Sequence, residues 1–148
     1  MSKPKFQNML GSDEFAGRVI KLAAVFESRL DLLLTEYFGA PERRYELYEH
    51  LITKLSLHQK TELLRNIDLG RTFKSRENLI ASILSLRKLR NALAHNYHIR
   101  EEEVEKLYSD QKIRKWVLEY PKALSSEKRN LEVRIDKLWK QIYPPGST

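Results

Sequence analysis

The chain of 148 residues contains no cysteine, which excludes disulfide frameworks and cysteine-built zinc sites and leaves its redox compartment unmarked. Glycine and proline number five each and seldom interrupt the body of the chain. Period-2 alternation is missing as well, so no strand is predicted. No stretch approaches the roughly 18 consecutive apolar residues that a spanning helix needs, and the opening MSKPKFQNML has no apolar core of signal-peptide length. A soluble, cytoplasmic protein with no membrane partner is expected. No internal repeat or low-complexity tract argues for a solenoid or linker. No dense Asp/Glu/His cluster has metal-ligand spacing, so neither a metal nor another cofactor is expected.

What is present is positive charge and helical periodicity. Lysine and arginine total 27 against 20 acidic residues, giving a net charge of +7 and a pI near 9.6. That balance suits a polyanionic partner, because cations clustered on phosphates release counterions, and it equally suits an ordinary basic surface. The basic positions Lys122, Lys128, Arg129, Arg134 and Lys137 pose the same choice between an RNA track and a solvated helix face, and the solvated face is the favoured reading.

The pattern predicts one all-α domain over residues 1–148, an antiparallel bundle of five to six helices with its core in about 13–142. The first helix is predicted from Asp13 to about Phe38, with Phe15, Val19, Leu22, Phe26, Leu30, Leu33, Leu34 and Tyr37 inward and Gly39-Ala40-Pro41 as its stop. A second should cover about Glu42 to Leu55, with Tyr45, Tyr48, Leu51, Ile52 and Leu55 facing in. Ser56 and Gln59 form a capping-box pattern for a third through about Asp68, with Leu57, Leu63, Leu64 and Ile67 as core candidates. Gly70 and Ser75 read as the stop and cap around the next loop. Short helices at Glu101–Tyr108 and Asp110–Tyr120 follow, and a last helix runs from Ser125 or Ser126 to about Ile142.

The stretch Ser75 to Tyr97, SRENLIASILSLRKLRNALAHNY, organises the rest. Its apolar positions Leu79, Ile83, Leu86 and Leu93 recur at helical spacing, and Arg90 falls on that stripe where a core residue should stand. A guanidinium cannot shed its charge, so on a core face it needs an anion, a ligand or a cleft. Asn91 and His95 share a face at i and i+4, whereas Arg90 and His95 lie about 140° and roughly 7.5 Å apart on a regular helix. Loosening of the helix after Ala94 would let Arg90, Asn91, His95 and Tyr97 converge. An arginine can hold a phosphate oxyanion while an imidazole moves protons, and RNA supplies its own 2′-hydroxyl nucleophile, so that pair suffices for metal-free RNA cleavage. An arginine and a histidine in a last helical turn also serve simply as C-terminal caps.

The run RNALAHNY, with Arg90, Asn91, His95 and Tyr97, resembles the Arg-x4-His-x-Tyr motif of HEPN-domain proteins, including the polar residue after the arginine. The motif sits late in a long helix of an all-α bundle, as in that family. The resemblance implies a metal-independent endoribonuclease of toxin or antiviral-defence type, with Arg90 on phosphate, His95 as acid or base, Asn91 assisting, and two subunits joining their motifs in a shared cleft. It also implies that Tyr97 matches a tyrosine adenylylated by nucleotidyltransferase-type antitoxins, against the plainer reading of a packed aromatic. The alternative function is a non-catalytic HEPN-like module that binds nucleic acid, nucleotide or protein.

Other residues are secondary. Glu27 and Asp31, at i and i+4, can reach the motif as orienting carboxylates or form a solvated edge. Ile80, Leu84 and Leu89 lie off the main stripe and supply either a dimer surface or a helix buried all round. Trp116, Tyr120 and Trp139 are base-stacking candidates or core aromatics. His50, His58 and His98 have no ligand-like partners.

Overall fold

The computed structural model describes residues 2–67, 76–95 and 99–142, apart from the side chains of 95, 141 and 142. All regular secondary structure among the described residues is helical, with no strand among them. They form α1 (Ser2–Leu10), α2 (Asp13–Phe38), α3 (Arg44–His50), α4 (Leu57–Arg65), α5 (Arg76–His95), α6 (Glu101–Ser109), α7 (Gln111–Leu118) and α8 (Lys122–Ile142). Short 3₁₀ turns at Pro41–Arg43 and Ile52–Lys54 flank α3. The predicted all-α class is therefore observed, but eight α-helices stand among the described residues where five to six are predicted.

The extra helix at the front is α1, which lies outside the predicted core range. Phe6 and Leu10, one turn apart, are buried there, and Phe6 meets the Tyr108 ring edge-on at 5.2 Å. A nine-residue helix is marginal in water, so this one forms by packing on α6 and α7. The second departure lies in the predicted helix 42–55. Leu51 takes φ −128 and ψ −62, which breaks the segment in two and resets its periodicity. Ile52 stays buried, but Tyr45 and Leu51 turn outward, 75% and 50% exposed, contrary to their predicted inward facing.

The longest helix, α2, starts at an N-cap in which the Ser12 hydroxyl accepts from the Phe15 amide, and Asp13 and Glu14 complement its dipole. Its predicted stripe from Phe15 to Leu34 is buried, at about 1.5–3 kcal/mol per fully buried Leu or Phe side chain. Gly39 ends it through close approach, not through a left-handed φ. Its amide donates to the Thr35 carbonyl at 2.9 Å, and a Cβ at Gly39 would stand 2.7 Å from that oxygen.

Helix α2 packs most extensively on α5, and α4 touches both. Helix α5 is buried on more than one side: Leu79, Ile83 and Leu86 are in the core, and so are Ile80 and Leu89. Ile80 and Leu89 therefore cannot supply a dimer surface, and Leu84 is itself half-buried against the core. The predicted cap at Ser75 and stop at Gly70 lie outside the described residues. Ser56 caps α4 as predicted, its hydroxyl accepting from the Gln59 amide at 3.1 Å and its own amide donating to Gln59 Oε1 at 2.9 Å. Ser56→Ala should cost about 1 kcal/mol and lower the melting midpoint by roughly 2–4 °C, measurable by circular dichroism. No helix among the described residues is long and apolar enough to cross a membrane.

Candidate functional site: a cleft between α2, α4 and α5

The apolar stripe of α5 runs through Ile83 and Leu86 and then reaches Arg90, where the packing opens. A cleft of about 200 Å³ lies there. Ala23, Phe26 and Glu27 of α2 form one wall; Ile83, Leu86, Arg87, Arg90 and Asn91 of α5 form the other; Leu55, Ser56 and Leu57 close the end. The N-terminus of α4 thus borders the cleft. Its capping box satisfies the amides of Ser56 and Gln59, while those of Leu57 and His58 belong to the first turn and have no intrahelical carbonyl to meet. With Arg87 and Arg90 opposite, the positive end of the α4 dipole makes the cleft suited to an anion.

A chain of charges runs from this opening into the core. Arg90, with one third of its side chain exposed, places Nη2 3.7 Å from Glu27 Oε2, and its Nη1 donates to Asn91 Oδ1 at 3.1 Å. The other oxygen of Glu27 accepts from Lys60 Nζ at 3.1 Å, and Nζ also lies 2.8 Å from Asp31 Oδ1. The Lys60 side chain is 2% exposed and that of Asp31 10%. Glu27 is therefore the hinge of the network, with one oxygen on a buried cation and the other on a half-open one.

The electrostatics follow from burial first. Loss of water pushes the Asp31 carboxyl above its ordinary value, and the bond and charge of Lys60 recover only part of the shift. Burial acts in the opposite sense on Lys60, disfavouring its charge, yet the combined bonds and charges of Asp31 and Glu27 win and hold the ammonium above its ordinary value. An acid whose folded pKa is raised binds more protons in the folded state, so its contribution to stability falls as pH rises from 3.8 through the folded value. Asp31→Asn removes this titration. The stability of Asp31→Asn relative to wild type should accordingly rise with pH across that acidic window, as read from urea midpoints.

Glu27 thus reaches the motif directly, while Asp31 reaches only Lys60. Neither is a solvated edge. Lys60 escaped the sequence reading, which put only leucines and Ile67 in the α4 core. Lys60 and Thr61 are instead buried beside Leu64, and Leu57 and Leu63 are half-buried. The available signal was a cation on the apolar stripe between Leu57 and Leu64, the same anomaly that marks Arg90.

Helix α5 is helical through His95, and positions 96–98, where a loosening beyond Ala94 would fall, lie outside the described residues. Five residues of regular helix set the Cα of His95 about 140° around the axis from that of Arg90. The His95 side chain and Tyr97 lie outside the described residues. Of the stacking candidates, Trp116 is buried in the core. Tyr120 is half-buried with its ring edge-on to Phe15 at 5.1 Å, and Trp139 packs half-buried against the core. Among the described residues no group of three or more His, Asp or Glu side chains is placed to hold a metal ion. No protein-family model, curated protein or solved structure matches the chain.

Proposed function

We propose that the chain is a HEPN-type endoribonuclease that cleaves RNA without a metal ion, by attack of the substrate's own 2′-hydroxyl. The observation that carries this reading is Arg90, a permanent cation on the core stripe of α5 that lines an open cleft instead of being sealed in it. Among the described residues only Glu27 and Asn91 engage its five N–H donors, which leaves the guanidinium able to fork onto a phosphate. Glu27 and Asn91 fix its orientation, and Arg87 and the α4 N-terminus add to the positive field.

In the reaction, His95 takes the 2′-hydroxyl proton, the O2′–P bond forms and the P–O5′ bond breaks. The 5′-oxygen leaves with a proton supplied by a second acid. Arg90 neutralises the extra negative charge that phosphorus carries on the way. The regular helix between Arg90 and His95 supports a homodimer in which a two-fold axis brings a second motif to the same phosphate. With Ile80 and Leu89 in the core, exposed Ile20, about 20° from Glu27 around the α2 axis and so on the side of the cleft, is an apolar residue on which such a pairing would draw. The same reading makes the protein a toxin or defence effector, with a nucleotidyltransferase-type antitoxin acting on Tyr97 as the corresponding partner.

One observation favours the rival reading, a HEPN-like module that binds nucleic acid, nucleotide or protein without cleaving. Glu27 presents a carboxylate to the same cleft, and a carboxylate repels phosphate. Purified protein incubated with labelled RNA in excess chelator separates the two. Cleavage that is lost in His95→Ala is expected; binding without cleavage would establish the module.

A further inference from the structure

A second groove lies on the opposite flank of α2, between α2 and α8, and has no part in the chemistry above. Val25 lines it and Glu27 lines the Arg90 cleft, about 160° apart around the α2 axis. The groove has a volume of about 350 Å³, and its floor is Leu22 with Leu124 of α8. Arg18, Lys21 and Arg29 stand along the α2 wall and Lys128 on the α8 wall, with Glu132 the lone carboxylate among the lining residues.

These cations are poised for an external anion. Lys21 and Lys128 are exposed, and no acidic side chain among the described residues pairs with either. Arg18 sits only loosely against Glu14, at 3.7 Å, and its guanidinium lies over the Tyr120 ring at 5.8 Å. Arg29 lies over the Phe26 ring at 5.9 Å. Guanidiniums held over rings lose less freedom when they fork onto phosphate. From Arg18 to Arg29 the helix rises about 16 Å, enough for a few extended nucleotides. Cations along the walls and an apolar floor match what single strands offer, phosphates outside and base faces inside.

We infer that this groove is an exosite for single-stranded RNA, holding the substrate away from the cleft where it is cut. The inference rests on the ribonuclease reading only for the identity of the polyanion. An acidic peptide is the other polyanion that the charge admits, but it brings no bases to the apolar floor.

The test uses the full chain and a fluorescent 12-nucleotide 2′-O-methyl RNA, whose blocked hydroxyl prevents cleavage. In fluorescence anisotropy, Lys21→Glu combined with Lys128→Glu should weaken binding at least tenfold. The salt dependence should also flatten, since every phosphate that the variant no longer neutralises takes about 0.7 off the slope of log K against log salt. Both positions are exposed, and an unchanged circular dichroism melt verifies the fold. Cleavage of a diribonucleotide, too short to span both sites, should be unchanged. Affinity within twofold of wild type would overturn the exosite, as would equal displacement of the RNA by polyglutamate of matched charge. The two readings fail separately: wild type that cuts nothing while the double variant still loses binding removes the nuclease and leaves the groove. Cleavage of long RNA with unaltered binding by the variant does the reverse.

Discussion

Arg90→Ala is expected to lower RNA cleavage by about 10²–10³-fold, the usual effect of removing one preorganised group that meets developing charge. The loss should appear mainly in kcat, because the guanidinium matters most when phosphorus carries its extra charge. Stability should change little, since Arg90 is one third exposed and its approach to Glu27 is a loose 3.7 Å. Glu27 keeps its bond to Lys60 when Arg90 is removed. Arg90→Lys should recover only a small part of the activity, because an ammonium cannot grip phosphate at two points in one plane. A matched pair of cleavage progress curves and melting curves checks both halves of the expectation. Full activity in Arg90→Ala would remove the cleft from the chemistry.

Lys60→Ala should have the largest effect on stability. It leaves Asp31 buried with no cation beside it and strips Glu27 of its closest partner, and breaking a buried pair from one side costs about 3–5 kcal/mol. That is a large fraction of the roughly 5–15 kcal/mol that holds a domain folded, so the melting midpoint should fall by roughly 6–20 °C. The triple change Lys60→Met, Glu27→Gln and Asp31→Asn should recover much of the loss, because it removes both signs of charge and keeps volume in place. Recovery of stability without recovery of cleavage would assign the network a positioning role. Glu27 then matters for where it holds Arg90 and not for the fold alone. A triple variant as unstable as Lys60→Ala would show that packing around the lysine stem, not charge, governs the site.

Much of this was legible from spacing. Arg90 interrupts the stripe of Ile83 and Leu86, and such a misplaced charge is a local signal that needs no tertiary knowledge. The stripe of α2 from Phe15 to Leu34 and the Ser56–Gln59 capping box were readable for the same reason. Lys60 carried the identical signal between Leu57 and Leu64, but its partners lie 33 and 29 residues earlier in the chain, and periodicity does not report which helices meet. The outward turn of Tyr45 and Leu51 was hidden for another reason. A single backbone break at Leu51 shifts the phase of every residue before it, and the local sequence contains neither glycine nor proline to announce it. Helix α1 was obscured by its brevity, since Phe6 and Leu10 alone make a weak pattern whose stability comes from the helices beneath.

The most direct measurement is the chemistry of the product ends. RNA incubated with the purified protein in excess chelator, then analysed by mass spectrometry, should carry 2′,3′-cyclic phosphate and 5′-hydroxyl termini, and these should vanish in Arg90→Ala and His95→Ala. Intact RNA, or fragments with 3′-hydroxyl and 5′-phosphate ends, would contradict a cleft that works through an arginine, an imidazole and the substrate's own hydroxyl.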